Sequence, residues 1–572
     1  MKLRIYFSLV LVIIVLTSYA QENTKIGQSY LDDLQYQKAR SFFHAKISVA
    51  PGDARSYCWL GDVYLALQQP DSARLMYEKA SELDSKSPFP LIGLGKIALL
   101  KGDRMNKFDF FDKARKLDRK NPEVYNEIAK GCIGLSKIDT AIGNIYLKQG
   151  FELDSKYAPL HITFGDYEAL AGRFGNAINA YERAIFFDPS SSIAYRKLGQ
   201  FYALSRAYGD AISKFSKSIE LNSGQILVYK YLGDLYYTIG KYVDAEKNYK
   251  IFLSKTEVNN DDKERFAIIL FFNKKYTEAA SLLEDVMKQN SDEAVLLRIR
   301  GYIAYETGDY LKGLEYMAKF FKLHDPEKNI AADYLYYGRL LQKNGKDSLA
   351  IENYKKALVL DPTKTEIYED LAKLYAGNMQ HNNAVIIYKK MLDSGADKVN
   401  TWFQIGKEYY FEGEKYRAKY DSMMALQKQN KIPFADSTMV NDTKRSYFQK
   451  ADSAFAIVNE LNPQYYGGFM WKGRINSLLD PESMTDHAKD AYEKALSILE
   501  AGDMVKNRRS IIEVYKYLGS YYYLNSDRLV KDDKTKAETL RTTSIGYFRK
   551  ILALDPGDAQ SLEVFRKLKI AP

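Results

Sequence analysis

Cysteine is almost missing from this chain. Cys58 and Cys132 are the only two in 572 residues, which excludes a disulfide framework and any C-x-x-C thiol or zinc motif. Histidine is nearly as scarce: His44, His161, His324, His381 and His487 are scattered, and none stands in an H-E-x-x-H arrangement. A Gly-rich phosphate loop and a G-x-S-x-G nucleophile turn are lacking too. With no catalytic constellation in view, the chain is expected to be non-enzymatic and to need no cofactor and no metal. Long apolar runs are confined to IYFSLVLVIIVL, residues 5–16. Lys2 and Arg4 precede that run and the small residues Ser18 and Ala20 follow it, the pattern of a secretory signal cleaved after Ala20. The run is shorter than the ~20 apolar residues that span a bilayer. Residue 21 is Gln, so the lipid-bearing cysteine of a lipoprotein has no place there. The mature chain is therefore expected in the periplasm, with no stable membrane span after cleavage. Losing Lys2 and Arg4 lowers the net charge from +10 to +8, slight for this length, and nucleic acid is not an expected partner.

What the chain has in excess is tyrosine, 47 residues against 3 tryptophans, and a motif that it repeats. WLGDVYL at 59–65, KLGQFYA at 197–203, YLGDLYY at 231–237 and YLGSYYY at 517–523 share one central glycine. Aligning that small residue gives Gly27, Gly61, Gly95, Ala129, Gly165, Gly199, Gly233, Ala267, Gly301, Gly338, Ala372, Gly406, Gly473 and Gly519, mostly 34 residues apart. The steps of 36, 37, 67 and 46 mark insertions. A fixed period of this length is the mark of a solenoid, and the pattern resembles the tetratricopeptide repeat, a 34-residue helix-turn-helix unit. The resemblance spans about fourteen units. It implies an all-α fold, an α-solenoid wound as a right-handed superhelix, and a role in binding other proteins.

Repeat 7 shows the local physics. Tyr229, Leu232, Gly233 and Tyr236 fall on one face of a first helix. Gly240 follows in the slot of a left-handed helix end, as do Gly102, Gly172, Gly308 and Gly345. Asp244 is expected to open the second helix, whose apolar face holds Ala245, Tyr249 and Phe252. Gly233 and Ala245 are expected to be small because the two helices meet there, with Tyr229 and Tyr236 filling the space beside them. Pro51, Pro189, Pro362, Pro463 and Pro556 stand where second helices must stop. Cys58 and Cys132 lie two repeats apart, roughly 18 Å at ~9 Å per packed helix, beyond the ~7 Å reach of a disulfide; two buried thiols are expected.

The expected organisation is a signal peptide at 1–20, repeats 1–11 and the first helix of repeat 12 at 21–413, an insertion at 414–444, the second helix of repeat 12 with repeats 13–14 at 445–556, and a capping helix at 557–572. Within repeat 12, Tyr409 and Ala451 stand 42 positions apart, against nine between Tyr236 and Ala245. The insertion is expected to extend both helices around a break at Pro433. A shorter insertion of about 13 residues lies near residues 525–540 in repeat 14. In the capping helix, Leu562, Phe565 and Leu568 are expected to cover the last repeat.

The residue after each central small residue lies off the packing face, and in the tetratricopeptide family that position points into the concave groove. Arg339, Lys373, Lys407 and Arg474 place four cations there in consecutive repeats, with Lys96 and Lys130 forming a shorter run earlier. At ~10 Å spacing, near the ~8 Å screening length, their fields can add. The implied partner is a protein with an acidic segment, such as a subunit of an envelope complex, or alternatively an anionic glycan. Against this, Glu366, Glu369 and Asp370 lie close enough to neutralise part of the stripe. The Lys and Asn pair of the family's carboxylate clamp is missing; Arg196 with Gln200 is the nearest approach, and that function is not carried over.

Overall fold

A computed structural model of the protein describes residues 26–133, 140–256, 259–287, 293–428 and 434–571. The signal sequence and Pro433 lie outside these. The chain divides into two compact units, residues 1–291 and 292–572. The boundary falls between repeats 8 and 9. Every regular element among the described residues is helical, and each unit is an α-solenoid of paired antiparallel helices.

Repeat 7 is built from Ile226–Thr238 and Tyr242–Lys255. Gly240 joins them at φ +76°, and Gly102, Gly172, Gly308 and Gly345 hold the same left-handed conformation. Leu34, Gln68, Arg206, Lys274 and Met379 adopt it in other repeats, a conformation costly for any residue with a Cβ. The prolines named above follow the ends of second helices, as Pro189 follows Phe174–Phe187.

The side chain that fills the space at Gly233 differs from expectation. A Cβ on Gly233 would lie 2.3 Å from the Tyr249 ring, and Tyr249 is completely buried, whereas Tyr229 and Tyr236 are only half-buried. The second helix thus lays its aromatic ring flat on the first helix's bare backbone. Phe43, Tyr77, Phe111, Tyr181, Phe215 and Tyr354 do the same to Gly27, Gly61, Gly95, Gly165, Gly199 and Gly338. Each buried ring contributes ~2–3 kcal/mol of apolar burial, which needs the glycine. Asp244 also sits differently. It lies in the first turn rather than at the cap, which is Lys241 with no side-chain bond. Side-chain caps occur instead mainly on first helices, where Asp53, Ser191 and Asn259 accept backbone N–H groups. Cys58 and Cys132 are both free and buried.

In unit 2 the helices of repeat 12 run Lys398–Gln427 and Phe434–Leu461. Those of repeat 14 run Met504–Leu529 and Lys534–Leu554. Both insertions therefore lengthen a hairpin. The repeat 14 hairpin is braced from repeat 13: Tyr521 donates to Asp486, and Arg528 to the Glu482 and Ser483 carbonyls. The capping helix, Ala559–Leu568, buries Phe565 and Ser561, with Val564 and Leu568 half-buried beside them. Leu562 is 41% exposed, because its position falls outside the face set by 558, 561, 565 and 568.

Unit 1 has a contact that no repeat pattern dictates. Residues 26–38 lie against repeats 6 to 8. Arg196 donates to Asp33 Oδ1 at 3.1 Å and to the Asp32 carbonyl at 3.2 Å. The Ile226 backbone N–H donates to Asp33 Oδ2 at 3.0 Å, and Lys38 reaches the Lys255 carbonyl. The first helices of unit 1 thereby close into a ring.

Candidate inner binding surface

The first helices place the residue after each central glycine on the inner side. In unit 1, Gln28, Asp62, Lys96 and Lys130 line one hollow of ≈230 Å³. Four successive repeats thus bring four equivalent positions together, as their register predicts. Leu31 and Asp32 of repeat 1 and Ile193 of repeat 6 complete the wall. Arg55 lies 3.2 Å from the Phe89 ring centroid, stacks against Trp59, and donates to Glu123 at 2.6 Å. The hollow holds four acids, Asp32, Asp62, Glu123 and Glu127, against three cations, Arg55, Lys96 and Lys130.

These charges are held in a ladder between neighbouring repeats. Lys96 bonds Asp62 at 2.9 Å and stands 4.0 Å from Glu127. Burial works against the Lys96 ammonium, yet Asp62 and Glu127 carry its pKa above the ordinary lysine value. Lys130, 58% exposed, stands 4.0 Å from Glu127. Asp166 pairs with Lys197 at 2.9 Å and Asp234 with Arg265 at 3.4 Å. A second device holds the acids in place. Tyr77, Tyr181 and Tyr249 donate to Asp62, Asp166 and Asp234 at 2.9, 2.7 and 2.7 Å. Each of these pairs is 15 residues apart. Where the inner residue is Gln28, Lys96 or Gln200, the ring 15 residues on is Phe43, Phe111 or Phe215 and carries no hydroxyl. In these repeats of unit 1 each inner Asp has a Tyr 15 residues on, whereas in unit 2 Tyr354 and Tyr388 follow Arg339 and Lys373 at the same spacing, and the Tyr354 hydroxyl turns to Gln342 instead.

The same ladder revises the cationic stripe of unit 2. Arg339 donates from Nε to Asp370 at 2.6 Å, lies 3.6 Å from Glu366, and its side chain is only 18% exposed. Burial pushes the Asp370 carboxyl up, against the pull of Arg339. Arg474 makes a two-pronged bond to Glu513, 2.6 and 2.7 Å, beside the Trp471 ring. Lys373 is 60% exposed and pairs with Glu369 one turn before it. The four do not form a bare basic wall: stacking sets Arg339 and Arg474 beside acids 31 and 39 positions on, Lys373 is paired within its own helix, and only Lys407 of the four is left without an ion pair among the described residues. Arg196, the nearest approach to a clamp, is spent on Asp33. His161 is packed: its Nε2 lies 2.9 Å from the Ser155 carbonyl, and its ring lies against Phe151 and Phe187.

Paired helices stacked by a glycine-on-ring contact, with a lining of inward polar residues, define a helical-repeat interaction scaffold. The particular repeat follows from the comparisons. Residues 54–87 and 162–226 match tetratricopeptide-repeat models, and residues 338–378 match a TPR repeat model. The chain is a tetratricopeptide-repeat protein. It is 28% identical over 151 residues to the photosystem I assembly protein Ycf3 of Prochlorococcus marinus, covering 24% of this chain and 78% of that one. A TPR repeat-containing protein of Methanocaldococcus jannaschii is 22% identical over 259 residues, 43% of this chain and 44% of its own. Among solved structures, the C-terminal part of a TPR repeat-containing protein from Cytophaga hutchinsonii is 25% identical. It covers 52% of this chain and 98% of that one, with a TM-score of 0.41.

Proposed function

We propose that the chain is an exported, non-catalytic scaffold that binds other proteins and helps to assemble a cell-envelope complex in the periplasm. The observation that carries this is the inner hollow, where Gln28, Asp62, Lys96 and Lys130 from four repeats face one space. A surface of mixed charge and aromatic rings suits a peptide of mixed charge, since a run of one sign would meet its own kind among Asp32, Asp62, Glu123 and Glu127 or among Arg55, Lys96 and Lys130. The Prochlorococcus relative is named as an assembly protein, in keeping with such a role. No described helix is long and apolar enough to cross a membrane.

Two measurements test this. N-terminal sequencing of the protein recovered from a periplasmic fraction should begin at Gln21; a product retaining residue 1 and confined to the cytoplasm would overturn export. Cross-linked affinity capture should compare the intact chain with Lys130→Glu and with a variant whose residues 414–444 are replaced by a short Gly-Ser turn. Partner loss in Lys130→Glu assigns the inner surface. Loss only in the shortened hairpin moves the contact to the insertion, and no partner in any arm removes the scaffold reading.

A further inference from the structure

A second cleft lies away from the inner hollow, between the second helices of repeats 4 and 5. These are Thr140–Leu153 and Phe174–Phe187, and the cleft between them measures ≈690 Å³. It sits where the repeat departs from pattern. The step from Ala129 to Gly165 is 36 residues, and Tyr167 occupies a position that holds Val63 and Leu235 in repeats 2 and 7. The Tyr167 hydroxyl donates to the Ala129 carbonyl at 2.9 Å. It fills the space a side chain on Gly143 would need, 1.4 Å from that Cβ position. Repeats 2, 5 and 7 carry alanine at the equivalent of Gly143, namely Ala73, Ala177 and Ala245.

The floor of the cleft is aromatic. His161 lies with its ring centroid 4.9 Å from Phe151 and 5.2 Å from Phe187, and Phe164 stands 6.1 Å from Phe151. A carbonyl only accepts, so the His161 Nε2 facing Ser155 carries the proton. Burial holds the imidazole below its ordinary pKa against the pull of that carbonyl, and the nearby Arg183 adds to the lowering; the floor is uncharged at neutral pH.

The walls are polar and unengaged. Asn144 and Lys148 are one turn apart on one helix, Asn179 and Arg183 one turn apart on the other, and all four are exposed. Lys148 and Arg183 make no ion pair among the described residues. This contrasts with the inner face, where Lys96, Arg339 and Arg474 are neutralised by acids of a neighbouring repeat.

We infer that this cleft binds a peptide segment in which an aromatic residue is flanked by an acidic one. The flat ring stacks on the aromatic floor, the carboxylate bridges Lys148 and Arg183, and the amides of Asn144 and Asn179 take the peptide backbone. Glu152, one turn beyond Lys148, repels further acids at that end, so the site selects one or two carboxylates over a polyanion. It stands apart from the inner hollow and would survive the failure of that assignment.

The test uses the full chain and fluorescein-labelled Gly-Glu-Phe-Glu-Gly, followed by anisotropy. Controls are Gly-Glu-Ala-Glu-Gly and poly-glutamate. Binding should be saturable, and at least tenfold stronger than to either control. Arg183→Glu and Lys148→Glu, both surface changes, should each weaken it about tenfold or more. Asn179→Trp should block it, while Lys130→Glu in the inner hollow should leave it unchanged. Unaltered circular dichroism confirms that the variants are folded. Absence of binding at millimolar peptide, equal affinity for the alanine peptide or poly-glutamate, or undiminished binding by Arg183→Glu would each overturn the assignment.

Discussion

The ring closure of unit 1 depends on a carboxyl that is buried at an energetic cost, and Asp33→Asn probes it. Asp33 has a fully buried side chain, and burial pushes its pKa from 3.8 up to about 6 against the pull of Arg196 and the Ile226 amide. Each pKa unit is worth ~1.36 kcal/mol, so the charged form is disfavoured by about 3 kcal/mol on closing. The raised value means that the closed ring holds the proton more tightly than the open chain. Its stability therefore rises as pH falls from about 6 towards 3.8, and is lost in the opposite direction. Between pH 7 and pH 5 the gain is ~1.3 kcal/mol, about tenfold in the opening equilibrium. Asp32 raises the value further, while Lys230 and Asp262, which border the site, pair with each other at 2.5 Å. Carboxylates with lowered values elsewhere, such as Glu246 and Asp558, lose stabilisation on acidification, so global unfolding would blur the signal. The reporter is the Ile226 amide, whose acceptor is Asp33. Its hydrogen-exchange protection factor, corrected for intrinsic rate, should rise about tenfold from pH 7 to pH 5 and become flat in Asp33→Asn. Protection that falls with acid, or an identical profile in the variant, would refute the reasoning.

Gly233→Val should destabilise unit 1 by ~2 kcal/mol or more, since its Cβ would stand 2.3 Å from the Tyr249 ring and overpacking typically costs 1–3 kcal/mol; urea denaturation measures it. Tyr181→Phe removes the 2.7 Å bond to Asp166 and should cost ~1–2 kcal/mol in the same assay. Arg206→Gly should stabilise by ~0.5–1 kcal/mol, relieving a residue held at φ 63° while paying part of the gain in chain entropy. Burial pushes the Cys58 thiol up to about 12, and Cys132 is fully buried. A thiol reagent should therefore modify neither in the native chain and both in denaturant; fast native labelling would contradict the packing.

The repeat register could be read from the sequence because it is local. A 34-residue spacing, a small residue in each first helix and glycine after it are set by contacts within one hairpin. The pairing of Arg339 with Asp370 was within reach for the same reason, one repeat length away. The tyrosines misled in part: Tyr229 and Tyr236 share a face with Gly233, but the ring that covers it comes from the second helix, 16 residues later. Asp33 and Arg196 lie beyond such reasoning. They are 163 residues apart, and only the accumulated rotation from repeat to repeat brings them together. The outer cleft escaped for a related reason, its two cations standing on different repeats with no shared spacing.

A hoop restricts what can pass through it. Because Asp33 fastens the first repeat to the sixth and seventh, a segment bound in the inner hollow as proposed would be encircled, and would arrive by threading a free end. Partners that offer a loose terminus would enter directly. Those that offer an internal loop would have to wait for the fastening to release, which makes their arrival rate a function of acidity rather than of fit alone.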